Sequence, residues 1–162
     1  MHAWLATTCH WLQNTPLILW LGTSDYAYPF IQLTHFTGLS LWLGTTLAVD
    51  FRLLGMGKRF QTASQLSDTL FVLNWTGLGI AVLGGFTLFS TAAVGYIDNP
   101  AFRVKLTMLI PAALVWHIIV QQKTRVWGQT PDTPLVGKMA GLLEVLLWVS
   151  VATAAVWIPN YD

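Results

Sequence analysis

The sequence predicts an all-α integral membrane protein: a four-helix bundle with an N-terminal amphipathic helix, built as a single transmembrane domain over residues 1–162. Three observations predict it. About 54% of the residues are hydrophobic and 9% are charged, whereas soluble domains carry about 25% charged residues. Four apolar runs, Phe30–Leu54, Thr69–Ala93, Val104–Gln121 and Met139–Ile158, are each long enough for a helix to cross the ~30 Å hydrocarbon core of a bilayer. Ionisable residues, His35, Asp50, His117 and Glu144, sit inside those runs. A charge at that depth is costly, so it faces the bundle interior and has a partner.

In the first segment, residues 1–22, Trp4, Leu5, Thr8, Trp11, Leu12 and Leu19 recur at helical spacing, and Thr7, His10 and Asn14 form an opposite polar stripe. That pattern suits a helix lying in the membrane interface. A fifth, irregular span over 3–22 is the alternative. No basic n-region precedes it, so it does not read as a secretory signal. Pro16 and Gly22 bend or end it.

The first span carries His35 near one end and Asp50 near the other. On its surface His35, Gly38, Trp42, Thr45 and Val49 make one stripe at about 100° per residue. A short basic loop with Arg52, Lys58 and Arg59 comes next. The second span carries a small-residue stripe, Asn74, Gly77, Ala81, Gly84 and Gly85, of the kind that lets a helix or a flat cofactor approach a backbone closely. The turn at 95–102 leads into the third span, where Met108 and His117 lie on opposite sides of a regular helix. His117 facing inward therefore predicts Met108 facing away, unless Pro111 reorients the helix. Thr130, Pro131, Asp132, Thr133 and Pro134 form a stop, and Glu144 lies about two turns into the fourth span.

Lys and Arg concentrate in the loops after the first and third spans, which the positive-inside rule places in the cytoplasm. Both termini are then outside, with Tyr26, Tyr28, Tyr96, Trp157 and Tyr161 as an outer aromatic belt. Net charge of +1 and the absence of a polybasic tract argue against a nucleic-acid partner. The lone Cys9 excludes an internal disulfide or a multi-cysteine metal site. Nothing resembles a nucleophile–base–oxyanion set, so no catalytic residue is assigned and a catalytic activity of its own is not expected.

Two sites compete. His35, with Gly38 beside it and His10 folding over from the N-terminal helix, is the candidate cofactor or metal site. Two neutral imidazoles ligate haem b; a single histidine suits a chlorophyll-type pigment. At about 1.5 Å per residue, Asp50, Asn74, His117 and Glu144 share one depth, and Arg52 lies next to it. That layer suits a proton relay or a metal-ion pathway; a structural ion-pair network with Arg52 is the bland reading. Three functions are expected from these sites: a small membrane subunit binding haem b or a related tetrapyrrole for electron transfer or as the anchor of a redox complex; a proton or metal-ion transporter; or a structural accessory subunit of a larger complex or homo-oligomer.

Three segments carry a resemblance: His35-Phe36-Thr37-Gly38-Leu39, Asp50-Phe51-Arg52-Leu53-Leu54-Gly55, and the Asn99-Pro100-Ala101-Phe102 turn leading to Lys105. Together they resemble a family of short multi-pass bacterial membrane proteins, a domain of unknown function. A weaker similarity is to the membrane domain of copper-resistance proteins, whose spans also begin with His followed by small residues. The resemblance implies a bacterial cytoplasmic membrane and four or five helices.

Overall fold

The computed structural model describes residues 3–57 and 59–161. Lys58, counted above in the first basic loop, and Asp162 lie outside the described residues. The protein is all-α: eight α-helices with one π segment and one 3-10 turn, and no strand among the described residues.

The N-terminal segment divides at Pro16, one of the residues expected to bend or end its helix, into α1 (Ala3–Gln13) and α2 (Pro16–Thr23). The break falls before Pro16, which occupies the first turn of α2, the position where its missing N–H costs nothing. α1 packs on α5 (Ala93–Asp98) and on the end of α4 (Ala63–Thr91). It buries Cys9 and tucks the Gln13 side chain onto the Val94 N–H at 3.2 Å. Trp4 and Trp11 are left exposed, so the buried face is not the tryptophan face that the spacing singled out.

α3 (Ala27–Leu53) and α4 form the centre of the bundle. α3 ends in a loop that contains Gly55 at φ 103° and Gly57 at φ 65°, left-handed conformations that glycine adopts without a Cβ penalty. α4 starts with a reciprocal cap: Thr62 accepts from the Gln65 N–H, and the Gln65 side chain accepts from the Thr62 N–H. That arrangement satisfies two of the otherwise orphaned donors of the first turn. The α3–α4 seam is unusually close. A Cβ built on Gly38 would lie 2.4 Å from the Ala81 nitrogen, and one on Gly77 would lie 2.7 Å from the Trp42 nitrogen. The small-residue stripe is therefore filled by the facing helix.

α6 (Pro100–Met108), a π segment (Leu109–Leu114) and α7 (Val115–Trp127) join end to end. Asn99 caps α6 by accepting the Phe102 N–H at 3.1 Å. Each π turn takes in one residue more than an α turn, so it rotates the downstream helix by about 100°. Met108 consequently packs with Trp42, Ala113, Trp148 and Val151 while His117 is also buried. Met108 does not face away, because the helix through Pro111 is not regular. α8 (Leu135–Trp157) closes the bundle against α3, α6 and α7.

Among the described residues two helices, α4 and α8 with its 3-10 extension, are long and apolar enough to cross a membrane. α3 is as long, but Gln32, His35, Asp50 and its threonine and serine residues dilute its hydropathy. The outward faces of α4 and α8 carry large apolar side chains: Val72 (73% exposed), Leu83 (71%) and Val156 (75%) are examples.

Candidate functional site

Four helices deliver one polar side chain or more each to a single buried point. α3 brings Asp50, Thr45 and Thr46, α4 brings Asn74, α7 brings His117 and α8 brings Glu144. His117 is 0% exposed, and Asp50, Asn74 and Glu144 are each 1% exposed. The amide of Asn74 fixes the orientation of the rest. Its Nδ2 donates to Thr45 Oγ1 and Thr46 Oγ1, both at 2.9 Å, and to the Trp42 carbonyl at 3.3 Å. With the nitrogen so placed, Oδ1 faces His117 Nε2 at 3.1 Å.

That contact assigns the tautomer of the imidazole. Asn74 Oδ1 only accepts, so Nε2 carries a hydrogen. The Trp42 indole N–H, 3.4 Å from the same nitrogen, is then an edge contact. On the other side of the ring, Nδ1 lies 2.5 Å from Glu144 Oε1, a short bond of the charge-assisted kind. Trp148 Nε1 reaches the same Oε1 at 3.5 Å.

Asp50 completes the cluster. No N–H or hydroxyl donor of the described residues reaches either of its carboxyl oxygens, and the acid that neighbours it is Glu144. A hydrogen bond between two carboxyls needs a proton on one of them. With Asp50 as O–H donor, Glu144 as carboxylate and His117 carrying a hydrogen on each nitrogen, every bond in the chain Asp50–Glu144–His117–Asn74 has a donor and an acceptor. The net charge of the buried group is then zero, as burial away from water demands.

Three indoles enclose the imidazole. The Trp42, Trp75 and Trp148 rings lie 5.7, 5.9 and 6.4 Å from that of His117, and Trp42 meets Trp148 edge-on at 4.4 Å. Below the cluster, toward the Arg52 end, Val49, Leu53, Ala63, Val120 and Ala140 form an apolar layer. The tryptophan cage escaped the sequence reading, although Trp148 stands one helical turn from Glu144 and Trp42 shares a stripe with Thr45.

Arg52 does not join the cluster. Its Nε donates to the Gln61 carbonyl at 2.6 Å and its Nη2 to the Pro131 carbonyl at 3.1 Å. Residues two apart on a helix do not share a face, which is why Arg52 turns to the loops while Asp50 turns inward.

His35 is elsewhere. Its Nδ1 donates to the Ala81 carbonyl at 2.7 Å, its ring lies against Gly85, where an added Cβ would come 2.9 Å from Cε1, and its backbone lies against Gly84. Gly38 has no room for a flat ring, because the α4 backbone occupies that space. His10 is on the exposed side of α1, and α1 packs on α4 and α5. The described contacts do not bring His10 and His35 together. Among the described residues no group of three His, Cys, Asp or Glu side chains could hold a metal ion.

No protein-family model matches the chain, and neither a curated protein nor a solved structure matches it.

Proposed function

We propose that this is a multi-pass protein of the bacterial cytoplasmic membrane, a four-helix bundle whose inner layer binds and passes a proton. Both termini are outside in this reading. The membrane part is supported by an inverted distribution of side chains. Large apolar residues cover the outside of α4 and α8, while Asp50, His117 and Glu144 are at most 1% exposed. Apolar surface of that extent suits lipid.

The observation that carries the proton reading is the Glu144–His117 hydrogen bond with a second carboxyl, Asp50, buried on the same layer and given no donor of its own. A structural ion pair needs one acid and one base. Here a second acid, Asp50, is held against the first with both oxygens unserved by any donor, so the group holds a proton that can be lost. In the form with one proton fewer, Glu144 O–H donates to the Asp50 carboxylate and His117 is neutral. A proton entering at Asp50 bonds to one Oδ, Glu144 passes its own proton to His117 Nδ1, and the Glu144 carboxylate then accepts from the Asp50 O–H. The carboxyls and the imidazole are spent on one another, which suits a proton better than a metal ion.

Infrared pH-difference spectra of the protein in lipid nanodiscs test this. A carboxylic-acid C=O band should rise and fall between pH values at which the protein stays folded, and should be lost in Asp50→Asn and in Glu144→Gln. A spectrum without such a band, or one that both variants leave intact, would overturn the reading.

One observation favours a second reading, in which His35 holds haem b or a related tetrapyrrole. With Nδ1–H donated to a backbone carbonyl, the lone pair resides on Nε2, the form in which a histidine ligates iron. Visible absorption of protein purified with haem supplied decides it: a band lost in His35→Ala supports the ligand role, and a colourless preparation removes it.

A further inference from the structure

We infer that the cluster exchanges its proton with water at the Arg52 end of the bundle, where the Arg52 guanidinium and the Leu53 side chain form the barrier that sets the rate. The inference rests on the proton-binding reading above and adds where the proton enters and what restrains it.

With α6, the π segment and α7 taken as one continuous helix, Asp50 is the member of the cluster nearest an end of its helix. Along α3 it lies about 6 Å from the terminus at Leu54 and about 36 Å from the one at Tyr26, at 1.5 Å per residue. Toward the far end the way is closed by the Trp42–Trp148 contact and by the apolar residues packed on it, Leu39, Leu43 and Met108 among them. Toward the near end a single layer intervenes, with Leu53 at 0% exposure at its centre. The ionisable groups facing the cluster from the packed helices are its own members, on α3, α7 and α8; α4 contributes the neutral Asn74. Of the charged groups beyond them, Arg52 is buried at that end.

The Arg52 contacts have the form of a closure. Arg52, 3% exposed, ties the end of α3 through its guanidinium to the carbonyls of Gln61 and Pro131, which belong to the two loops at that end. The Ser64 N–H bond to the Gly128 carbonyl at 3.0 Å joins the first turn of α4 to the end of α7, next to the same two loops. The closure is incomplete in its bonding. Arg52 Nη1 and Thr133 Oγ1 are buried with no hydrogen-bond partner, and both acceptors of Arg52 are neutral carbonyls. An unserved buried guanidinium N–H favours water over the closed arrangement, so the closed form is poised to open locally. When it opens, water reaches Leu53 and then the Asp50 oxygens; the proton leaves Asp50 as hydronium, and the Glu144–Asp50 bond refills from the opposite side.

The three indoles around His117 report on its charge, since a protonated imidazole quenches indole emission. Stopped-flow tryptophan fluorescence after a pH jump, on the protein in lipid nanodiscs, measures the exchange rate. Arg52→Gln should accelerate the response at least tenfold with its amplitude kept. Leu53→Ala, which leaves both loops intact, should do the same if Arg52→Gln fails to fold. Leu39→Ala, which thins the apolar layer at the far end, should leave the rate at its wild-type value. Wild-type rates in folded Arg52→Gln and Leu53→Ala, or a larger acceleration in Leu39→Ala, would overturn the inference. Glu144→Gln separates the two levels. An amplitude that survives it removes the proton reading itself, whereas an amplitude lost in Glu144→Gln beside unchanged Arg52→Gln kinetics removes only the barrier.

Discussion

His117 and His35 present the same side chain in opposite circumstances. His117 is sealed from solvent and has both ring nitrogens engaged by side chains from other helices, one acidic and one amide. His35 is half-buried, has one nitrogen on a backbone carbonyl, and rests its ring on Gly85. The difference lies in the neighbours. An imidazole beside a carboxyl that itself touches a second carboxyl belongs to a group with a proton to spare. An imidazole donating to a carbonyl is held in place, and its remaining nitrogen is free for whatever comes near. A histidine inside an apolar run is thus an incomplete signal until its depth and its helix face are matched with other polar residues.

Substitutions sharpen that contrast, and the largest effect belongs to the His117 side. Glu144→Ala leaves His117 Nδ1 and the Asp50 carboxyl buried without their partner. Breaking a buried pair from one side costs about 3–5 kcal/mol, so unfolding in denaturant should show a loss of that size. A loss below about 1 kcal/mol, the value of an exposed pair, would mean that the layer is wetter than the structure describes.

The α3–α4 seam comes next. Gly38→Ala puts a methyl group 2.4 Å from the Ala81 nitrogen, and backbone cannot retreat as a flexible side chain can. Overpacking of this kind costs about 1–3 kcal/mol, and thermal unfolding should show it, whereas Gly44→Ala, with open space around the new methyl, should be neutral or stabilising.

Asn74→Ala ranks third, at about 1–3 kcal/mol for the groups left unserved. It also removes the acceptor that assigns a hydrogen to His117 Nε2. Nitrogen NMR of the labelled imidazole should show the Nε2 signal shifting as that N–H loses its acceptor; an unchanged spectrum would contradict the role given to Asn74. The smallest effect is expected for His35→Ala, about 1 kcal/mol for a single hydrogen bond, with the infrared carboxyl band unaltered. A change in that band on removing His35 would join two regions that the structure keeps apart.

Much of the polar layer was legible because it depends on arithmetic along helices. The rise per residue puts Asp50, Asn74, His117 and Glu144 at one depth, and the apolar runs say which segments are helical. What escaped depends on distances between helices or on departures from regular geometry. The turn of Arg52 to the Gln61 and Pro131 carbonyls depends on where two loops come to rest. The indole cage needs the rotation of α4 and α8 about their axes, and a long helix with apolar residues on every side carries little information about that rotation. The helix boundaries extended beyond the apolar runs because α4 begins in its polar capping box at Thr62, which hydropathy does not register. The small-residue stripe admitted both a helix and a flat cofactor, and only the position of the α3 backbone against Gly77 and Gly84 distinguishes them.

The π segment makes chain length between Met108 and Val115 a functional quantity. Any single-residue deletion there that restored regular α geometry would turn the rest of the helix by about 100°, carrying His117 off the axis of the bundle and presenting a neighbour to Glu144 in its place. Composition would hardly change, and hydropathy would still describe an adequate helix, yet the hydrogen-bonded chain would be cut. Close relatives of this protein that keep the buried cluster should therefore tolerate substitutions across 109–114 far better than gaps, and an engineered deletion at Leu109 should be repaired most readily by an insertion a few positions away that restores the phase.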